Sequence, residues 1–291
     1  MSIAEYIRIC DRDFRKRLCD IADDILERKE VRLISLSGPT CSGKTTAAEM
    51  LSKRFEERGH GVNIVSIDDF YHGRDYLHML SEKKGEKTVD YDSVDTIDRE
   101  ALSVFVREAF SSSTVHSPVF DFKSGNRIGY REIEVEESDI FIFEGIQAIY
   151  PQIRELFAPY GTVSIYISPR TSLNTVSNTF EPNDIRLLRR LVRDSNFRGT
   201  DAEFTLRLWS SVRSNEEKHI FPYADTCDYF LDSTQDYELG VLKPYLADIL
   251  SKISEGSEFF DISRKILTSL VGIEEIDSAL IEEGSLYREF V

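Results

Sequence analysis

Residues 31–45 read VRLISLSGPTCSGKT, and this stretch decides the fold. Its first six residues predict a β-strand, and a helical pattern begins at Lys44. Between them the chain matches the spacing GxxxxGK[ST] of a phosphate-binding P-loop. Glycines let consecutive backbone N–H groups turn inward around phosphate oxygens, and the following helix directs the positive end of its dipole at them. The sequence therefore predicts a nucleotide-phosphate site here.

Each chemical group of this loop has an expected contact with ATP and Mg²⁺. Lys44 is expected to reach the β- and γ-phosphates, and the Thr45 hydroxyl to ligate Mg²⁺. A chance glycine turn is the alternative, but the position between a strand and a helix favours the P-loop. The residues predicted to bind ATP are Gly38, Pro39, Thr40, Cys41, Ser42, Gly43, Lys44, Thr45 and Thr46.

The sequence around the P-loop predicts an α/β fold. Apolar residues at steps of three or four predict a helix over residues 4–28, and residues 62–67 predict a second strand. Short apolar runs at 140–143 and 163–167 fit buried parallel strands. We predict a P-loop NTPase-type parallel sheet flanked by helices, with a β-hairpin excursion and an arginine-rich lid helix.

The chain divides by pattern into three expected regions. These are an N-terminal helical extension over 1–30, a P-loop kinase domain over 31–250 and a C-terminal helical appendage over 251–291. Within the middle region, the polar residues 72–92 predict a long surface loop, and residues 118–135 alternate around two glycines as a hairpin does.

Acidic residues follow two of the predicted strands. Asp68 and Asp69 follow the strand at 62–67, and Glu144 follows the run at 140–143. In parallel sheets, ligands bind beyond the carboxyl ends of the strands, so these carboxylates should face the P-loop. One of the aspartates could take the proton of an attacking hydroxyl or hold Mg²⁺ through water, and Glu144 is the expected second Mg²⁺ partner. A capping pair at a loop start remains the alternative for the aspartates.

One predicted helix concentrates positive charge. Arg186, Arg190 and Arg193 fall at i, i+4 and i+7 and therefore on one face, and Arg189 and Arg198 lie close by. This pattern predicts a lid that supplies arginines to the transferring phosphoryl group, with Arg190 and Arg193 as catalytic candidates. A solvated face paired with carboxylates is the alternative.

The composition excludes several classes of protein. The chain has 36 Lys+Arg against 52 Asp+Glu, a net charge of −16, which argues against binding nucleic acid or an anionic membrane. The four cysteines form no CxxC pair, which argues against a structural metal site. We expect a cytoplasmic protein, because no apolar run approaches a membrane span and the start lacks a signal-peptide pattern.

Together these segments resemble the uridine kinase family of P-loop nucleoside kinases, which is related to phosphoribulokinase and bacterial pantothenate kinase. The resemblance covers roughly residues 31–250, and RGTDAEFTLRLWSSVRSNEEKHIFPYADTCDYF together with SLYREF resembles a divergent branch. The motifs that carry it are GPTCSGKTT, DDFY, YDSVDTID, PVFDFKSGNR, IFIFEGIQAIY and RLLRRLVRD…RG.

The resemblance implies a role for individual residues. Asp68 matches the catalytic base that takes the proton of the nucleoside 5′-hydroxyl, and Asp92 matches the carboxylate that binds the ribose hydroxyls. It also implies phosphate, Mg²⁺, lid and substrate contacts for Lys44, Thr45, Glu144, Arg190, Arg193 and Arg198, with Tyr71 and Phe120 as further substrate-binding candidates.

Three positions depart from the family pattern. Phe120 and Gly125 stand where the pyrimidine kinases carry the Tyr and His that hydrogen-bond the base, and Thr200 replaces a second lid arginine. Sites that hydrogen-bond a substrate discriminate strongly, so these changes affect which base is accepted. Phe120 could stack on a base or belong to the hairpin core.

We therefore predict an ATP- and Mg²⁺-dependent kinase for a small molecule, with a ribonucleoside 5′-hydroxyl as acceptor and a homo-oligomeric assembly. A kinase for a sugar phosphate or a pantothenate-like acid remains open, as does a regulatory nucleotide-binding ATPase module.

Overall fold

The computed structural model describes residues 1–28, 30–85 and 89–291. Its main element is a five-stranded parallel sheet in the order β2-β5-β1-β6-β9. The strands are β1 (Leu33–Ser37), β2 (Val62–Ser66), β3 (Thr114–Asp121), β4 (Asn126–Glu134), β5 (Ile140–Glu144), β6 (Thr162–Ser168), β7 (Leu173–Asn174), β8 (Thr179–Phe180) and β9 (Tyr229–Asp232).

Helices cover the sheet, as predicted. They are α1 (Ile3–Glu27), α2 (Lys44–Glu57), α3 (Arg74–Lys84), α4 (Arg99–Ala109), α5 (Pro151–Phe157), α6 (Pro182–Arg198), α7 (Ala202–His219), α8 (Phe221–Ala224), α9 (Glu238–Ser251) and α10 (Phe260–Ser269). Short 3₁₀ turns cover Ile67–Phe70, Val94–Thr96, Ile146–Ile149, Ala158–Tyr160, Ser278–Leu280 and Leu286–Glu289.

The sheet separates two hydrophobic cores. Successive side chains of a strand point to opposite faces, and in β1 Ile34 packs into one core while Leu33 packs into the other. In β5, Ile142 and Phe143 divide in the same way. Because both faces are covered, β1 is buried along its whole length. Its two polar side chains, Ser35 and Ser37, donate hydrogen bonds to the carbonyl oxygens of Ala148 and Ile146 (2.8 and 2.9 Å).

The first and last parts of the chain complete one of these cores. Helix α1 buries Ile7, Phe14 and Leu18 there, on the stripe that the sequence predicts. From the last forty residues, Leu270 and Phe290 join the same core. The 1–30 and 251–291 regions are therefore packed against the sheet domain.

The segment at 72–92 differs from the sequence-based expectation. It was expected to be a surface loop, but residues 74–84 form α3, which ends at Gly85 with a left-handed backbone (φ 72°). Residues 86–88 of the predicted loop lie outside the described residues. Helix α3 buries only Leu77 and Ser81, so the sequence carries no apolar stripe that would reveal it.

The topology places the predicted site at one edge of the sheet. Glu144, the last residue of β5, is in register with Leu36 of β1 and Ser66 of β2. The carboxyl ends of these three strands therefore meet beside the loop that joins β1 to α2. Strands β3 and β4 form the predicted hairpin. In the described ranges, no helix is both long and apolar enough to cross a membrane.

Candidate active site

The P-loop has a sharply turned backbone. Cys41 has φ 58° and Gly43 has φ 92°, both in the left-handed region, which costs free energy for a residue with a side chain. Gly38 lies so close to β6 that a Cβ atom there would collide with the carbonyl oxygen of Ile167. The glycines are thus required by the turn and by the neighbouring strand.

Two buried arginines of α6 hold this turn in place. Arg186 donates to the carbonyl oxygen of Thr40 (3.4 Å), and Arg189 donates to that of Cys41 (3.3 Å). In a planar trans peptide the N–H points away from the C=O. Binding these two carbonyls therefore turns the N–H groups of Cys41 and Ser42 in the opposite direction, as an anion cradle requires.

Both arginines are buried, unlike the lid cations that the sequence predicts. Arg186 pairs with Glu216 (2.6 Å), and Arg189 pairs with Glu238 (2.8 Å); both pairs are inaccessible to solvent. Arg186 was expected on the same functional face as Arg190 and Arg193, but it serves the P-loop backbone instead. Nothing in the local sequence marks which arginines of the run are buried, because their partners lie on other elements.

The loop also contains polar groups suited to a triphosphate and a metal ion. The hydroxyl of Ser42 is fully buried and makes no hydrogen bond, and Lys44 Nζ donates to Pro39 O (3.1 Å). In the described chain, no cluster of three His, Cys, Asp or Glu could hold a metal. Mg²⁺ is usually held by one or two protein oxygens together with phosphates and water. Thr45, in the first turn of α2, and Glu144, at the end of β5, carry oxygens of this kind.

Asp68 lies beside Lys44 and Glu144 at the carboxyl end of β2. Burial, followed by the Glu144 carboxylate, raises the pKa of Asp68 to about 6, whereas Lys44 and a hydrogen bond with Tyr71 lower it. A carboxyl group with this pKa is ionised near neutral pH and can accept a proton efficiently. The Tyr71 hydroxyl accepts a hydrogen bond from Gln147 Nε2 (2.8 Å), a buried residue that sequence reasoning missed.

Asp69 has a different environment from Asp68. Its Oδ1 accepts the backbone N–H of Phe120 (3.0 Å), which ties the β3–β4 hairpin to the end of β2. Asp69 therefore binds the hairpin and does not cap the loop start, while Asp68 is the carboxylate near the P-loop lysine.

The carboxylate of Asp92, like that of Asp68, acts electrostatically on Tyr71. Its side chain accepts a hydrogen bond from Asn215 Nδ2 (3.1 Å), which also contacts Asp90 (3.2 Å). Burial raises the pKa of Asp92, and the Asn215 hydrogen bond lowers it. Asn215 belongs to α7, far away in sequence, and no local motif marks it.

Two aromatic rings of the hairpin, Phe120 and Phe122, pack against Tyr71. Phe120 packs edge-on against Tyr71 (5.6 Å between centroids) and Phe122 (5.3 Å). Phe120 is buried, but Phe122 is 63% exposed. An exposed aromatic ring can stack on a planar ligand, and sequence reasoning did not assign Phe122 a role.

Gly125 is fixed by the hairpin turn. Its φ is 69°, and a Cβ atom would lie 2.7 Å from Arg74 Nε. Arg74 also donates to the carbonyl oxygen of Lys123 (3.0 Å). Arg74 therefore occupies the space that a side chain at position 125 would need.

The remaining predicted arginines converge on Asp194. Arg193 Nη2 lies 2.7 Å from Asp194 Oδ1, Arg190 Nε 3.2 Å from Oδ2, and Arg198 Nε 3.6 Å from Oδ1. Arg193 and Arg198 also interact electrostatically with Cys41 of the P-loop. Within the described residues, Arg190 forms its ion pair with Asp194.

Comparison with known proteins agrees with this geometry. The sequence profile of the phosphoribulokinase/uridine kinase family matches residues 33–239, which include the P-loop, both acidic strand ends and α6. The chain belongs to this family. It is therefore a P-loop kinase, an enzyme that phosphorylates a hydroxyl group, and the family implies the use of ATP.

Two uridine kinases and one solved structure are similar to most of this chain. A uridine kinase of Clostridium botulinum is 29% identical over 62% of this chain and 77% of its own length. A uridine kinase of Lactobacillus johnsonii is 25% identical over 78% of this chain and its full length. The solved structure of a Silicibacter protein aligns with a TM-score of 0.54 at 22% identity, over 73% of this chain and 98% of that one. This last likeness supports the P-loop kinase fold alone.

Proposed function

We propose that this kinase transfers the γ-phosphoryl group of ATP to the 5′-hydroxyl of a ribonucleoside. The observation that carries the proposal is the position of Asp68. Asp68 interacts with Lys44 and Glu144, which are assigned to the nucleotide site, and with Tyr71, which also interacts with Asp92. A base in this position can contact a hydroxyl that faces the terminal phosphate.

Asp68 acts as the base in this proposal. It accepts the proton of the attacking hydroxyl while the new O–P bond forms and the bond from the γ-phosphorus to the bridging oxygen breaks, so that ADP leaves. The transition state of phosphoryl transfer is loose, and catalysis is mainly positioning and charge stabilisation. Asp69, which is bound to the hairpin backbone, has no part in the proton transfer.

Charge on the transferring group is balanced by residues of the P-loop and α6. The N–H groups of the loop and the Lys44 ammonium bind the phosphates, and Arg190, Arg193 and Arg198 supply positive charge from the lid helix. Mg²⁺, held by Thr45 and Glu144, would neutralise charge on the β- and γ-phosphates. Asp194 orients the three arginines before the substrate binds.

The acceptor site lies between Asp92 and the aromatic rings. Asp92 accepts hydrogen bonds from the ribose hydroxyls, and Asn215 holds its carboxylate in place. The exposed ring of Phe122, which packs on the buried rings of Tyr71 and Phe120, offers an apolar surface for the base. Stacking tolerates several bases, so a nucleoside site without the Tyr and His of pyrimidine kinases should accept more than one base.

A product assay tests this function. Wild-type protein with ATP and Mg²⁺ is offered uridine, cytidine, adenosine, a sugar phosphate and pantothenate, and products are identified by mass spectrometry. We expect nucleoside 5′-monophosphates as the products. Phosphorylation of the sugar phosphate or pantothenate alone would replace the acceptor, and ATP hydrolysis with no phosphorylated product would favour the regulatory-module alternative.

A pair of variants separates substrate binding from structure. Asp90 and Asp92 both accept a hydrogen bond from Asn215, but we assign the ribose contact to Asp92 alone. Asp92→Asn should raise the KM of the nucleoside by at least about tenfold, and Asp90→Asn should raise it much less. Equal effects of the two changes would contradict the ribose contact.

A further inference from the structure

The last residues of the chain, 285–291, pack directly onto the P-loop, and we call them the tail segment. A Cβ atom at Gly43 would collide with the side chain of Leu286, so the tail segment touches the P-loop at Gly43. Leu286, Tyr287 and Phe290 are almost completely buried. The family match ends at residue 239, so this contact is a feature of the present chain beyond the family region.

The tail segment is anchored by the same network that shapes the loop. The Tyr287 hydroxyl donates to Glu238, which pairs with Arg189, and Arg189 binds the carbonyl oxygen of Cys41. Asn196 of α6 donates to the carbonyl oxygen of Phe290 (3.2 Å). These contacts fix the tail segment beside the phosphate site.

Glu289 brings a carboxylate into this site. Its Oε2 atom is inaccessible to solvent and makes no hydrogen bond. Burial raises the pKa of Glu289, whereas Lys44, Arg193 and Arg189 lower it and Glu144 raises it further. The cations that act on Glu289 thus include the P-loop lysine and a lid arginine, both predicted to bind phosphate.

We propose that Glu289 sets the nucleotide affinity of this kinase, as a carboxylate that balances Lys44 and Arg193 and is displaced by the phosphates of ATP. This inference rests on the proposed ATP site. A carboxylate near these cations lowers the positive potential that a triphosphate encounters, because like charges close together repel. The tail segment therefore weakens ATP binding while it keeps the loop folded through Leu286.

A charge-removing variant tests the proposal. Glu289→Gln keeps the size of the side chain, and Glu283→Gln removes an exposed acid just before the tail segment as a control. The dissociation constant of ATP·Mg²⁺ is measured by calorimetry for both variants, and that of adenosine in parallel. Glu289→Gln should bind ATP about 3- to 10-fold more tightly with adenosine binding unchanged, and Glu283→Gln should resemble wild type. Unchanged or weaker ATP binding by Glu289→Gln would overturn the proposal.

Hydrogen exchange of the wild-type protein gives a second test that needs no variant. The amides of Phe290 and Val291 donate to Tyr287 O (3.0 and 3.2 Å). Displacement of Glu289 by ATP should weaken this turn and speed their exchange, whereas adenosine should not. Slower or equal exchange with ATP would contradict the proposal.

The two proposals can fail separately. If wild-type protein binds ATP and Lys44→Ala weakens that binding, but Glu289→Gln behaves as wild type, only the proposal for Glu289 fails. If wild-type protein does not bind ATP, or if Lys44→Ala binds ATP as tightly as wild type, the proposed ATP site is wrong. The inference about Glu289 then fails as well.

Discussion

Arg189 Nη1 donates a hydrogen bond to the carbonyl oxygen of Cys41 (3.3 Å), so a buried side chain of α6 orients a peptide of the P-loop. The same guanidinium pairs with Glu238 and donates to the backbone oxygen of Ser233 (2.7 Å). An arginine can serve these partners together because its donors form a rigid planar fork. The loop therefore depends on a part of the chain that lies about 150 residues later.

Replacement of this arginine by lysine should weaken ATP binding. A lysine ammonium cannot reach Cys41, Ser233 and Glu238 at once, so the Cys41–Ser42 peptide would lose its orientation. We expect the dissociation constant of ATP·Mg²⁺ to rise by about tenfold in Arg189→Lys. Arg207→Lys, which changes an exposed arginine paired with Glu258, is the control. Thermal unfolding identifies a variant that has lost its fold, and a folded Arg189→Lys with wild-type affinity would refute the orienting role.

The hairpin glycines should differ in their tolerance of a side chain. Gly125 has φ 69° and contacts Arg74, whereas no atom would lie near a Cβ at Gly129. Gly125→Ala should lower the free energy of unfolding by about 1–2 kcal/mol, and Gly129→Ala by less than about 0.5 kcal/mol. Urea denaturation measures both. Equal stability of the two variants would argue against the turn constraint at Gly125.

The pH dependence of turnover should report the Asp68 carboxyl group. Because the pKa of Asp68 is raised to about 6, the base is protonated and inactive below that pH, and turnover should fall about tenfold per pH unit there. The Tyr71 hydrogen bond lowers this pKa, so Tyr71→Phe should move the midpoint to higher pH. ATP also titrates in this range, but the substitution leaves its titration unchanged. A midpoint that Tyr71→Phe does not move would assign the titration to another group.

The sequence could predict the parts of the fold that are written in local patterns. Local sequence patterns predicted three features: the apolar stripe of α1, the strand β1 and the glycine-containing turn after it. All three form in the structure. Helix α3 could not be predicted because it buries too few apolar residues to show a period.

Some residues of the candidate site could likewise be predicted from the sequence, and others could not. Asp68 and Glu144 could be proposed because the carboxyl ends of parallel strands meet at one edge. Asn215 acts through its contact with Asp92, which lies on a distant element, and such a contact leaves no motif in the chain. The burial of Arg189 could not be predicted either, because its partner Glu238 lies on α9, far away in the sequence.

The most direct test of the proposed mechanism compares the two neighbouring aspartates. Asp68→Asn and Asp69→Asn make the same chemical change, and an asparagine at 69 can still accept the Phe120 amide. Turnover with ATP·Mg²⁺ and the best nucleoside is measured for both, with ATP affinity as the check on folding. We predict that Asp68→Asn lowers turnover by at least about 100-fold while ATP still binds, and that Asp69→Asn stays within about threefold of wild type. Turnover by Asp68→Asn above about a tenth of the wild-type value would contradict its assignment as the base.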